Sequence, residues 1–209
     1  KQATESSRAG VGIRVVVGER TGYAYCEDFT ETMLLATARR AALIANGASS
    51  GCKPLVEQLG IPSRYGCVRP MEGVSVAERV ALLRLASRRA SAADPRVSWV
   101  SCSLLDSRSR VTIATSDGVL VSDDRPMLRC NVQVIATKDG RRESATTGGG
   151  GRLGLEYFSK RSPEALADEA VRQALTLFEA QECPAGRMPV VLAPATSGIL
   201  IHEAVGHGL

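Results

Sequence analysis

Histidine is almost missing from this 209-residue chain: there are two, His202 and His207, both within the last eight positions. Aromatic residues are scarce as well, at 4%. Trp99 and the tyrosines therefore read as core or edge packing rather than as base-stacking platforms. No window of about 18 uncharged apolar residues occurs, so no membrane span is expected. No apolar targeting segment follows Lys1. The six cysteines, Cys26, Cys52, Cys67, Cys102, Cys130 and Cys183, are never within four residues of one another, which excludes a CxxC metal or redox pair. Their dispersal suits a reduced, cytoplasmic protein better than a disulfide scaffold, with Cys52, in a polar stretch, the thiol expected at the surface. No concentrated basic stripe is present; 26 Lys+Arg against 22 Asp+Glu give +4. That weighs against a nucleic-acid partner. A Gly-x-Ser-x-Gly elbow is absent, so a serine-hydrolase site has no support. The 20 glycines show no three-residue period, which excludes a collagen-like chain.

What remains is enough to fold. Hydrophobic residues make up 44% and charged residues 23%, a balance that excludes disorder and supplies one substantial core or two small ones. Residues 12–17 and 23–26 are β-rich around turn chemistry at 18–22, predicting a hairpin. Asp28-Phe29-Thr30-Glu31 has a capping-box pattern opening a helix that Asn46-Gly47 would stop. A second box, Ser75-Val76-Ala77-Glu78, opens a helix ended by Asp94-Pro95. From 97 to 146 the period falls to two, in segments 97–104, 111–115, 119–121, 128–137 and 141–146, which predicts an antiparallel meander. Ser162-Pro163-Glu164 starts a third helix with Leu166, Ala170, Val171, Ala174, Leu175 and Phe178 on its apolar face. Residues 188–193 read as a short buried strand, and Thr196 as the cap of a last helix.

The fold class expected is α+β, an antiparallel β-meander with packed helices. The organisation expected is an N-terminal αβ region over 1–49, a linker over 50–74 and a central α+β region over 75–185. A truncated further domain would begin at 186–209.

The chemistry concentrates in His202-Glu203-Ala204-Val205-Gly206-His207, an H-E-x-x-x-H sequence. Two imidazoles beside a carboxylate suit a catalytic zinc, with the carboxylate accepting a proton from water. In the commoner H-E-x-x-H spacing the histidines share one helix face. Here they are five apart, which in a regular helix separates them by about 140°. Chelation then requires a departure from α geometry: a π-bulge, or a break at Gly206 with His207 reaching back. Two unrelated structural histidines are the bland alternative. A catalytic zinc also takes three protein ligands, and an upstream cysteine is selected by no spacing.

Other stretches resemble a known family in order along the chain. Residues 10–25 (Gly10-Val11-Gly12-Ile13-Arg14 through Tyr25), then Ala114-Thr115-Ser116-Asp117-Gly118, Asp124-Arg125-Pro126, Asp139-Gly140-Arg141-Arg142-Glu143 and the Gly148–Gly151 run with Arg152 resemble the TldD/PmbA family. Met188-Pro189-Val190-Val191-Leu192 followed by 202–209 resembles the start of its C-terminal region, and the H-E-x-x-x-H sequence distinguishes the TldD type. The resemblance implies a zinc metallopeptidase subunit working with a PmbA/TldE-like partner on unfolded or leader-bearing peptides. It implies His202 and His207 as zinc ligands, Glu203 as general base, and a third ligand, a cysteine, further downstream. The chain is thus expected to be an internal piece of a longer protein. The family has also been labelled a modulator of DNA gyrase. A non-catalytic assembly or regulatory module is the competing class of function.

Gly148, Gly149, Gly150 and Gly151 read first as a flexible loop. As a substrate-binding element, their bare backbone would let an extended peptide approach the meander edge. Arg125, Arg129, Arg141, Arg142 and Arg152 read as a solvated basic face.

Overall fold

The structure is a computed structural model describing residues 2–46, 57–58, 60, 65–194 and 196–209, with the backbone alone at 57, 58 and 196. Gly47, Cys52, Pro54 and Pro62 lie outside the described residues, as does the Thr196 side chain expected to cap the last helix. The chain forms two compact units, residues 1–62 with 110–123, and residues 63–109 with 124–209.

In the first unit, β1 (Val11–Val17) and β2 (Arg20–Cys26) pair antiparallel from Val11↔Cys26 to Val17↔Arg20. The turn is therefore two residues, with Gly18 at φ 58 supplying the left-handed backbone that such loops need. Helix α1 (Glu31–Ile44) covers one face of the hairpin and buries Thr37 and Ala41. The expected capping box at Asp28 is not formed. Asp28 Oδ1 instead accepts the Thr30 N–H at 2.8 Å, an Asx-type turn, and Thr30 is the N-cap. Asn46 adopts φ 54 where the helix stops, as its place in an Asn-Gly pair suggested. Gly22 decides how close α1 can come: a Cβ there would stand 2.0 Å from the Ala41 carbonyl oxygen. A two-residue strand β3 (Glu57–Gln58) pairs in parallel with Val119–Leu120.

Three long strands form the meander: β4 (Val97–Ala114), β5 (Val119–Lys138) and β6 (Arg141–Gly151). They are continuous where the period-two signal was broken at 105–110 and 122–127. Polar and charged residues there sit on paired strands, because ladder hydrogen bonds do not depend on side-chain hydrophobicity. β5 is central, joined to β4 on one side and to β3 and β6 on the other. Asp139 (φ 50) and Gly140 (φ 80) make the β5–β6 turn, the two positive φ values that an Asp-Gly hairpin loop supplies.

The second unit's core lies on one face of β5. Leu128, Cys130, Val132, Val134 and Ala136 alternate along it and are all at most 1% exposed. Helices α2 (Val76–Ala93) and α4 (Pro163–Thr176) cover that face with Ala86, Ala90, Leu166, Ala167, Ala170, Val171 and Ala174. The alanines let the two helices approach each other and the sheet closely. Each fully buried Leu or Val contributes about 1.5–3 kcal/mol. Ser75 and Ser162 cap their helices by accepting the N–H of Glu78 (3.2 Å) and Ala165 (3.1 Å). A second cluster of Met71, Val74, Leu128, Leu155 and Tyr157 closes one end, with the short helix α3 (Tyr157–Lys160) supplying the tyrosine.

The buried strand expected at 188–193 is not there. The segment is irregular and Val191 is 95% exposed. A buried strand requires a ladder partner and cover on its faces, and the described residues give this stretch neither. Trp99, expected in packing, is about half exposed on β4.

Candidate metal centre

Helix α5 (Thr196–Val205) carries His202 and Glu203, and it ends where its backbone leaves the helical region. Val205 has φ −126 and ψ −44, and Gly206–Gly208 tighten into a 3₁₀ turn that carries His207. Of the two departures from α geometry open to this spacing, the break at Gly206 is the one that occurs. It brings the rings together: their centroids are 4.6 Å apart and their planes meet at 59°. The Glu203 carboxylate stands 3.4 Å from His207 Nε2. One ligand atom from each of His202, Glu203 and His207 lies within 4.8 Å of the others, and all three side chains are exposed. No other group of three or more His, Cys, Asp or Glu side chains is so arranged among the described residues.

Two imidazoles beside a carboxylate suit zinc, which binds imidazole nitrogen at about 2.0–2.1 Å and leaves the carboxylate free to accept a proton. Donors already within 4.8 Å need only small side-chain rotations to meet on one ion. The residues present therefore fit a divalent metal in type and in separation, with two histidines rather than the full complement of three protein ligands plus water.

The four glycines are not a loop. Leu128↔Gly151, Arg129↔Gly150, Cys130↔Gly149 and Asn131↔Gly148 are paired residues of β5 and β6. The physical reason is space. A Cβ on Gly148 would meet Asn131 Oδ1 at 2.3 Å, one on Gly149 the Tyr157 hydroxyl at 2.2 Å, and one on Gly150 the Leu128 carbonyl at 1.9 Å. Flexibility was inferred from composition, whereas the missing side chains are filled by neighbouring atoms.

Three of the arginines around the meander have partners within the chain. Arg141 pairs with Glu143 and lies over the Phe178 ring, Arg152 lies 4.7 Å from the Tyr65 ring centroid, and Arg129 donates to Asn131. Glu156 was missed by sequence reasoning. Desolvation would raise its pKa, but N–H groups of Gly154, Arg69 and Val68 outweigh that and hold it at about 2. Periodicity could not reveal it, since Val68 and Arg69 lie 88 and 87 positions away. Burial pushes the Cys130 thiol up to about 11, which marks an inert core thiol rather than a nucleophile. Five cysteines, Cys26, Cys67, Cys102, Cys130 and Cys183, are free.

The chain matches the PmbA/TldA metallopeptidase domain 1 over residues 1–45 and the PmbA/TldA metallopeptidase central domain over residues 69–178. It belongs to the PmbA/TldD family. It is 38% identical to the Metalloprotease TldD homolog of Haemophilus influenzae, over 96% of this chain and 43% of that protein. A Thermotoga maritima structure described as a candidate modulator of a DNA gyrase superposes with a TM-score of 0.69 at 20% identity, covering 89% of this chain and 41% of that one. TldE of Thermococcus kodakarensis gives 0.56 at 17% identity, covering 84% and 39%. At those identities the solved structures show a shared fold. The chain spans less than half the length of each of these proteins.

Proposed function

We propose that this chain is part of a TldD-type, zinc-dependent peptidase subunit that cleaves unfolded or leader-bearing peptides in the cytoplasm together with a PmbA/TldE-like partner. The observation that carries the reading is the convergence of His202, Glu203 and His207 within 4.8 Å at a helix end. His202 and His207 would hold the zinc through their ring nitrogens. When bound, the ion acts as a Lewis acid toward a peptide carbonyl and lowers the pKa of water. Glu203 takes the proton from the attacking water and returns it to the leaving amine. The helix end holds the carboxylate on the same side as both imidazoles. The third protein ligand is a cysteine from elsewhere in the full protein, as the family resemblance implies. Gly148, Gly149, Gly150 and Gly151 would contribute to peptide binding through the backbone of β6, by strand addition.

The test is Glu203→Gln in the intact protein with bound zinc verified. Peptide hydrolysis should fall by about 10²–10⁴-fold. Unchanged hydrolysis with zinc retained removes Glu203 from its role. A second reading, a non-catalytic assembly module, is favoured by the exposure of the three side chains. Peptide turnover by the zinc-loaded intact protein would reject it.

A further inference from the structure

The five-residue spacing of the histidines is reconciled with a shared position by one backbone event, and a single residue permits it. In an uninterrupted helix His202 and His207 would stand about 140° apart. The chain avoids this by leaving the helix at Val205 (φ −126, ψ −44). At the next position the backbone runs directly under the His202 ring. A Cβ on Gly206 would stand 2.7 Å from His202 Nδ1 and 3.4 Å from its Cε1 and Cγ. The first distance is shorter than non-bonded carbon and nitrogen allow.

We infer that Gly206 is a positioning residue for the metal centre: its missing side chain lets the His202 ring lie over the helix end and meet His207. The inference rests on the metal reading above. Two effects act together. Alanine favours a helix interior by about 1 kcal/mol over glycine, so it would tend to carry α geometry through the break. Its methyl group would also need the space that the His202 ring occupies. That ring is exposed and terminal, so it can swing away at little cost to the fold. Relief of the clash therefore displaces a ligand and leaves the protein standing. Gly198 and Gly208 are internal controls, because a Cβ on either meets nothing within 4 Å.

The experiment is a zinc titration of the intact protein against a chromophoric chelator, with far-UV circular dichroism recorded for each variant. Wild type, Gly198→Ala and Gly208→Ala should bind zinc alike. Gly206→Ala should bind about ten- to a hundredfold more weakly, the range seen when a ligand's supporting contacts are lost. Its helix signal should be unchanged or slightly larger. Gly206→Ala binding zinc within twofold of wild type overturns the inference. Equal weakening in Gly208→Ala also overturns it, because the turn's general flexibility would then be the cause. No zinc binding by wild type would bring down the metal reading itself, and the inference with it.

Discussion

Gly150 lies against Leu128 so closely that a Cβ would stand 1.9 Å from the Leu128 carbonyl oxygen and 2.8 Å from Arg129 Cα. Both are backbone atoms of the central strand and cannot rotate away. Gly150→Ala should therefore destabilise the protein by about 1–3 kcal/mol, the range for forced overpacking. Gly151→Ala, whose Cβ would meet only the Leu153 side chain at 3.8 Å, should cost much less. Chemical denaturation of the two variants checks this. Equal stability would mean that β6 is displaced from β5 in solution.

Glu156 makes stability depend on acid. Burial opposes its charge, but the backbone donors prevail and lower its pKa from 4.5 to about 2. A depressed folded-state value contributes stability that is present above the ordinary value. That stability is lost as the pH falls from about 4.5 toward 2. Glu156→Gln, which turns an amide N–H toward a backbone donor, should cost about 1 kcal/mol at pH 7. The gap between variant and wild type should close on titration to pH 2, measured by urea unfolding. A gap constant across that window would refute the linkage.

Tyr157 is buried, yet its hydroxyl has no hydrogen-bond partner among the described residues. Its ring stacks edge-on against Phe158 at 5.3 Å, a contact that phenylalanine keeps. Tyr157→Phe removes an unsatisfied polar group and should be neutral or stabilising by up to about 1 kcal/mol. Thermal unfolding decides; a Tm drop of several degrees would show that the hydroxyl has work elsewhere.

The two helix starts differ in a way mutation can read. Ser162 Oγ accepts the Ala165 N–H at 3.1 Å, whereas Thr30 makes no side-chain cap bond. Ser162→Ala should cost about 1 kcal/mol and Thr30→Ala less than about 0.5. A larger loss at Thr30 would contradict the observed cap geometry.

Local chemistry was the legible part of this sequence. Ser75 and Ser162 as caps and the alternation along 128–137 each follow from local pattern, and each is found as expected. The end of helix α5 at Gly206 is one of the two departures from α geometry that chelation by both histidines left open. What was not legible depends on distant partners. The glycine run looked loose because its filling atoms come from Leu128, Asn131 and Tyr157. Residues 188–193 looked like a strand because hydrophobicity says nothing about whether a ladder partner is at hand. Asp28 looked like a cap because a capping box and an Asx turn share the same residues.

The small strand β3 has a kinetic consequence. Glu57 pairs with Val119, so this parallel ladder closes a span of 62 positions. A chain elongating at about 5–20 residues per second exposes the first partner roughly 3–12 s before the second. The hairpin and α1 need nothing beyond residue 46 and can form during that delay. The first unit is thus finished in two instalments, and its last ladder waits on Val119 and Leu120.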